Sequence, residues 1–114
     1  MPMLYRRLLD RATLSPGATA ALSQALDLGE VTALHFVLTV HEAGDGDAPI
    51  LVVKHAAVNE EDAYLAFDTP AERALSSAGA TWVASTSFTR WVCWFVSGTL
   101  ATDATVSLDL VAKG

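Results

Sequence analysis

Phe88-Thr89-Arg90-Trp91-Val92-Cys93-Trp94-Phe95-Val96-Ser97, followed at once by Gly98-Thr99, is the stretch on which the reading of this chain turns. Successive side chains of a strand point to opposite faces, so Arg90, Val92, Trp94 and Val96 share one face and Trp91, Cys93, Phe95 and Ser97 the other. Both faces are largely apolar. A strand wetted on one side alternates apolar with polar residues, whereas this one is expected to be covered on both sides, by the domain core and by a neighbouring layer or subunit.

Outward from it, the same period recurs. Ala104 to Ala112 sets Val106, Leu108 and Leu110 against Thr105, Ser107 and Asp109, and Thr81 to Ser87 leads into the central stretch. The clearest alternation is Val31 to His41, with Leu34, Phe36, Leu38 and Val40 on the core face and Ala33, His35, Val37, Thr39 and His41 on the other. Glu42-Ala43-Gly44-Asp45-Gly46-Asp47-Ala48-Pro49 then reads as a solvated polar loop, and Ile50 to Val58 returns as an apolar strand, so that the two form a long-looped hairpin. After the acidic turn Asn59-Glu60-Glu61-Asp62, a short strand over Ala63 to Asp68 ends at Thr69-Pro70, and Glu72 to Ser77 makes another. Ala18 to Leu28, bracketed by Gly17 and Gly29, is read as a strand. Residues 1–17 form an N-terminal arm ending in Ser15-Pro16-Gly17, either an ordered edge segment or an arm that docks on a neighbouring copy. Seven to eight strands spaced by about 10 residues, with turn signals between them, predict an all-β antiparallel β-sandwich of jelly-roll type over residues 18–114.

Composition narrows the function classes. The chain has 114 residues, enough for one core and too few for two. Charged residues are 18% against 52% hydrophobic, a low charged share that implies surface to be covered by a partner. A net charge of −6, with only Arg6, Arg7 and Arg11 close together among the basic residues, argues against nucleic acid as the main ligand. One cysteine cannot make an internal disulfide, no apolar run reaches the roughly 18 residues of a spanning helix, and Arg6-Arg7 is followed too soon by Asp10 for a signal peptide. Folding in the cytoplasm is the expectation.

The order Leu8-Leu9-Asp10-Arg11-Ala12-Thr13, Ser15-Pro16-Gly17-Ala18-Thr19, Phe36-Val37-Leu38-Thr39-Val40, Leu51-Val52-Val53-Lys54-His55-Ala56, Thr81-Trp82 and Arg90-Trp91-Val92 resembles small β-sandwich proteins encoded among phage and prophage virion genes. The resemblance spans most of the chain. It is carried by strand patterns rather than reacting groups, and it implies a virion structural role. The chain departs from that pattern at Asn59-Glu60-Glu61-Asp62, which stands where an aspartate-glycine-threonine-tryptophan turn is common.

Sites of chemistry are sparse. His35 and His41 lie on one strand face but six residues apart, on the order of 20 Å, too far to share an ion; His55 needs a further ligand such as Glu42. The carboxylates of 42–47 lack the ligand spacing of a calcium loop. Cys93, between Trp91 and Phe95, reads as buried filler. No nucleophile elbow or phosphate-binding loop occurs. No metal, no cofactor and no catalytic residue is therefore expected, and the chain is read as a non-enzyme. Trp91 and Trp94 face opposite sides, so only one of them, with Trp82, can serve a sugar-stacking platform. Arg90 is expected to pair with Asp68, Glu72 or Asp109, within the chain or across to a copy. The interface candidates are Arg90, Trp91, Trp94, His35, His41, Arg6 and Arg7. The expected role is a structural component of a phage or phage-like particle, a capsid decoration, vertex or tail protein that self-associates and binds another particle protein, assembled in the host cytoplasm and located in the virion. No nucleic acid and no membrane is expected among its partners. The alternative is a carbohydrate-binding or adhesin module.

Overall fold

Ala33–Glu42 shows why the chain becomes a sandwich: Leu34, Phe36, Leu38 and Val40 are buried while His35, Val37, Thr39 and His41 between them are half-exposed. Such a strand must lay one face on another sheet. In the computed structural model, which describes residues 3–18 and 22–114, eight strands do this in two layers. The strands are β1 (Met3–Leu14), β2 (Leu26–Asp27), β3 (Ala33–Glu42), β4 (Gly46–Ala56), β5 (Leu65–Ala74), β6 (Gly79–Ser85), β7 (Trp91–Leu100) and β8 (Ala104–Lys113).

One sheet has the order β1-β8-β3-β6 and the other β2-β7-β4-β5, with every pairing antiparallel. Every connection except β4 to β5 passes from one sheet to the other, which is the jelly-roll path. Between the layers lies one core, drawn from Leu34, Phe36 and Leu38 of β3, Leu51 and Val53 of β4, Val92 and Trp94 of β7, and Val106, Leu108 and Leu110 of β8. Phe36 and Phe67 meet across it with ring centroids 5.2 Å apart.

Four local expectations give way to this topology. β3 and β4 are no hairpin, because they belong to different sheets. The segment between them is not a free solvated loop either: β4 already begins at Gly46, opposite Leu100, and the Asp45 carbonyl accepts from Ala101 N at 2.7 Å. The two short strands expected around Thr69-Pro70 are one strand, β5, whose ladder with β4 jumps from Ala71 opposite Val53 to Ala66 opposite Lys54. Proline is tolerated there because β5 is an edge and the interrupted residues need no partner. The strand expected over Ala18 to Leu28 is, where described, a 3-10 turn at Leu22–Gln24 and the two residues of β2; residues 19–21 of that reading lie outside the described residues. Of the two alternatives for the N-terminal segment, Met3–Leu14 takes the ordered one and pairs along β8.

The β4–β7 ladder bulges at Gly98, whose φ of 75° lies in the left-handed region and whose missing Cβ makes room for the Ala48 carbonyl. Gly98→Ala therefore meets both backbone strain and overlap. It is expected to lower stability by about 2 to 4 kcal/mol in chemical denaturation.

Candidate interaction surface

The two outer faces of the sandwich have different fates. On the β2-β7-β4-β5 sheet, Trp91, Cys93 and Phe95 of β7 point away from the core and are covered by the chain itself. Leu22 and Ala25 from the segment before β2, and Ala63 and Tyr64 from the 3-10 turn Glu61–Ala63 and its end, pack over them with Ala56. Tyr64 stands edge-on to Phe95 at 5.1 Å, its hydroxyl donates to Asn59 Oδ1 at 2.7 Å, and Asn59 Nδ2 donates to the Leu22 carbonyl at 3.1 Å. Burial pushes the Tyr64 hydroxyl up to about 12. The second cover of the tryptophan-rich strand is thus a layer of the same chain.

Trp94, on the inner face, is buried in the core, and its indole N–H donates to Gln24 Oε1 at 3.0 Å. It offers nothing to a partner. Trp91 is half-buried, with the Arg90 guanidinium 5.8 Å from its ring centre. Arg90 pairs with none of Asp68, Glu72 and Asp109. It makes a two-pronged bond to Asp27, Nε to Oδ1 at 2.9 Å and Nη2 to Oδ2 at 2.7 Å. β2 and β7 place these groups together, since Asp27 lies opposite Trp91. The Arg90 guanidinium, helped by the Gly29 N–H, holds the Asp27 carboxyl below its usual range.

The outer face of β1-β8-β3-β6 has no such cover among the described residues. Its register aligns Arg7, Asp109, Val37 and Trp82 in one row across four strands, and Tyr5, Val111, His35 and Ala84 in the next. At its β1 side, Arg7 Nε donates to Asp109 Oδ1 at 2.8 Å and Nη1 to Asp10 Oδ1 at 2.9 Å, while the Tyr5 hydroxyl donates to Asp109 Oδ1 at 2.7 Å. The Arg7 guanidinium holds the Asp109 carboxyl below its usual range, against the opposing effect of partial burial, and the bond to Asp109 raises the Tyr5 hydroxyl. At the β6 side, Trp82 is 62% exposed, with the His35 ring edge-on at 5.4 Å. Arg6 is exposed and turns Nη1 back to the Tyr5 carbonyl at 3.1 Å. This face therefore gathers Arg7, His35 and His41 from the interface candidates. Tyr5, 56% exposed, and Trp82 join them.

His41 lies in a bulge between the pairs Val40–Val106 and Glu42–Thr105, where its Nε2 is 2.8 Å from Ser107 Oγ. The same hydroxyl accepts from the Arg11 N–H at 3.1 Å. Arg11 sits at φ 47° within a register shift of β1, so Ser107 answers a backbone donor that the ladder leaves out. This serine–histidine contact is invisible in sequence until β3 and β8 are paired. Ser107 is 1% exposed, too enclosed to act as a nucleophile on an incoming substrate. His55 is occupied elsewhere, with Nδ1 accepting from Thr89 N at 3.2 Å and its ring 4.9 Å from Phe67. Among the described residues no group of three His, Cys, Asp or Glu side chains is placed to hold a metal ion, and no helix is long and apolar enough to cross a membrane.

No family model and no curated protein matches the chain. Among solved structures it is similar to the SPBc2 prophage-derived protein YomS, with 11% identity, TM-score 0.48 and 95% of each chain covered. It is also similar to a protein of Bacillus endospore appendages, described as disulfide-linked pili, with 11% identity and TM-score 0.46 over 97% of this chain and 87% of the other. A third likeness is to the K1 cleaved adhesin domain of Lys-gingipain from Porphyromonas gingivalis W83, with 15% identity, TM-score 0.45, and 77% of this chain and 57% of the other covered. Likenesses at this level leave function to be read from the chain's own residues.

Asp27 and Asp109 both bind protons more weakly folded than unfolded. Their contribution to stability is complete above the unfolded carboxylate range, near about pH 4, and is lost as pH falls through their lower folded values. Melting from neutral to strongly acidic pH is expected to lower the Tm of the wild type below about pH 4 by more than that of the Asp27→Asn/Asp109→Asn variant.

Proposed function

We propose that the chain is a structural component of a phage or phage-like particle, such as a capsid-decorating, vertex or tail protein, which works by self-association and by binding another particle protein. The observation that carries this reading is the uncovered outer face of β1-β8-β3-β6, where Trp82 and Tyr5 stand exposed beside half-buried Val37 and Val111. The apolar part of the other outer face, over Trp91 to Phe95, is covered by the chain's own segments, so the face with Trp82 and Tyr5 is where a neighbour adds apolar buried area. The strand-pattern resemblance to virion β-sandwich proteins supplies the setting, and the jelly-roll supplies a rigid block whose weak contacts add up when repeated.

Assembly in the host cytoplasm and residence in the virion follow from that setting. Nucleic acid and lipid are left out of the partner set: the net charge is −6, and Arg7 is engaged by Asp10 and Asp109. We read the chain as a non-enzyme without cofactor, because its one close serine–histidine pair is enclosed.

A second reading has one observation in its favour. An exposed indole with polar neighbours is what a carbohydrate-binding or adhesin module uses to stack on a sugar ring, and Trp82 is such an indole. Light scattering and electron microscopy of the purified protein are expected to give oligomers, or a particle protein is expected to co-purify. A strict monomer at high concentration with no such partner sinks the particle reading. A tryptophan emission shift on titration with oligosaccharides, absent in Trp82→Ala, turns the choice to the adhesin module.

A further inference from the structure

An open two-layer sandwich has four edge strands, here β1 and β6 on one sheet and β2 and β5 on the other. An edge presents unpaired backbone groups, and proteins guard such edges with charge, proline, bulges or brevity. Three of the four are guarded. β1 carries Arg6, Arg7, Asp10 and Arg11 and two register shifts. β5 carries Asp68, Pro70 and Glu72 and an interrupted ladder. β2 has two residues.

β6, Gly79-Ala80-Thr81-Trp82-Val83-Ala84-Ser85, has none of these devices in its own sequence; the charge beside it is Arg73 of β5, packed against Gly79 and Thr81. The strand itself holds no charge and no proline, and it pairs with β3 at all seven positions without a shift. The start of the strand is held from the side of β5 by Arg73: Nη2 donates to the Ser77 and Ala78 carbonyls of the preceding turn at 3.2 and 3.0 Å, and Nη1 to Thr81 Oγ1 at 3.2 Å, on the same side of the strand as buried Val83.

We propose that this edge pairs with the β6 of a second copy, antiparallel about a two-fold axis through Trp82, so that two four-stranded sheets become one of eight strands. The proposal rests on the self-association reading and names its contact. Trp82 is the fourth of seven residues, so the axis sets Gly79 against Ser85, Ala80 against Ala84, Thr81 against Val83, and Trp82 against its own copy. On the outer face the two indoles then lie between alanines, which leave room for them. A chain of net charge −6 repels its copy, and β6 is the edge where self-pairing puts no like charges opposite one another. No other edge of the copy fits: β2 is too short for seven residues, and β1 and β5 bring charges and irregular ladders.

Size-exclusion chromatography with light scattering, run over a concentration series, tests this on the wild type and on Ala80→Lys/Ala84→Lys, whose exposed side chains leave the core untouched. Trp82→Arg is the second variant, and far-UV circular dichroism checks the fold of each. The expected result is a wild-type dimer, at least tenfold weaker association in both folded variants, and slower hydrogen exchange of the β6 amides at high concentration while those of β5 stay unchanged. Wild-type mass retained in the variants overturns the edge contact yet keeps self-association through another surface. Loss of mass without β6 amide protection also overturns it, moving the contact to the sheet face. A wild type that is monomeric throughout leaves the edge to a strand of another protein or to nothing, and removes the edge contact and self-association together.

Discussion

The structure depends on the sealing of one apolar layer between two four-stranded sheets. Leu34, Phe36, Leu38, Leu51, Val53, Val92, Val106, Leu108 and Leu110 are all essentially inaccessible to water. Backbone groups at that depth must pair, and the two ladders pair them. The layer also dictates connectivity. Because nearly every connection crosses from sheet to sheet, strands distant in sequence become neighbours: β8 lies between β1 and β3, and β7 between β2 and β4. Most contacts that hold the domain are therefore long-range, and no segment of it can bury its own apolar face in isolation.

Sealing the interior leaves two outer faces and four edges, and the chain treats them unequally. Over the apolar outer side of β7 it lays the 3-10 turn Leu22–Gln24 and the Glu61–Ala63 turn, fastened by the Tyr64–Asn59–Leu22 hydrogen bonds. On the opposite side no segment among the described residues is laid over the sheet. There the polar groups satisfy one another at one end, through Tyr5, Arg7 and Asp109, and the aromatic area gathers at the other, around Trp82 and His35. A face divided in this way has a direction, which a uniformly polar surface lacks.

The sequence is most legible where period and burial coincide. β3 alternates strictly and β8 does so except at buried Ser107, so their core and outer residues are readable almost residue by residue, and the jelly-roll class follows from strand number and spacing. The double-sided apolar pattern of Trp91 to Phe95 correctly signals two covers, but the pattern holds no information on whose chain supplies the second. That depends on where residues 22–25 and 59–64 come to rest, a tertiary outcome. Trp94 shows the same limit: its exclusion from the interface set follows only from seeing it in the core with Gln24. Arg90 is misassigned for a related reason. Its partner Asp27 sits on a strand of two residues, too short to carry a period, and the three acidic residues expected in its place lie on other strands. The Ala18 to Leu28 strand fails because the alternation of Leu22, Gln24, Leu26 and Leu28 also fits a turn that caps β7 and then adds a brief edge.

Pro70 bears on what an edge reveals about use. In β5 a proline, a broken ladder and mixed charges coincide within a few residues, and none of them contributes to the core, where Phe67 and Ala71 do that task. Features that add nothing to packing yet disrupt pairing act against association at that edge. The same holds for the arginines and register shifts of β1. A domain that blocks pairing at some of its borders, while it leaves an outer face with an exposed indole uncovered, limits the number of ways in which copies can meet. For a subunit whose individual contacts are weak, that restriction is what separates an ordered assembly from an aggregate: affinity comes from repetition, whereas register and direction come from the borders that refuse to pair.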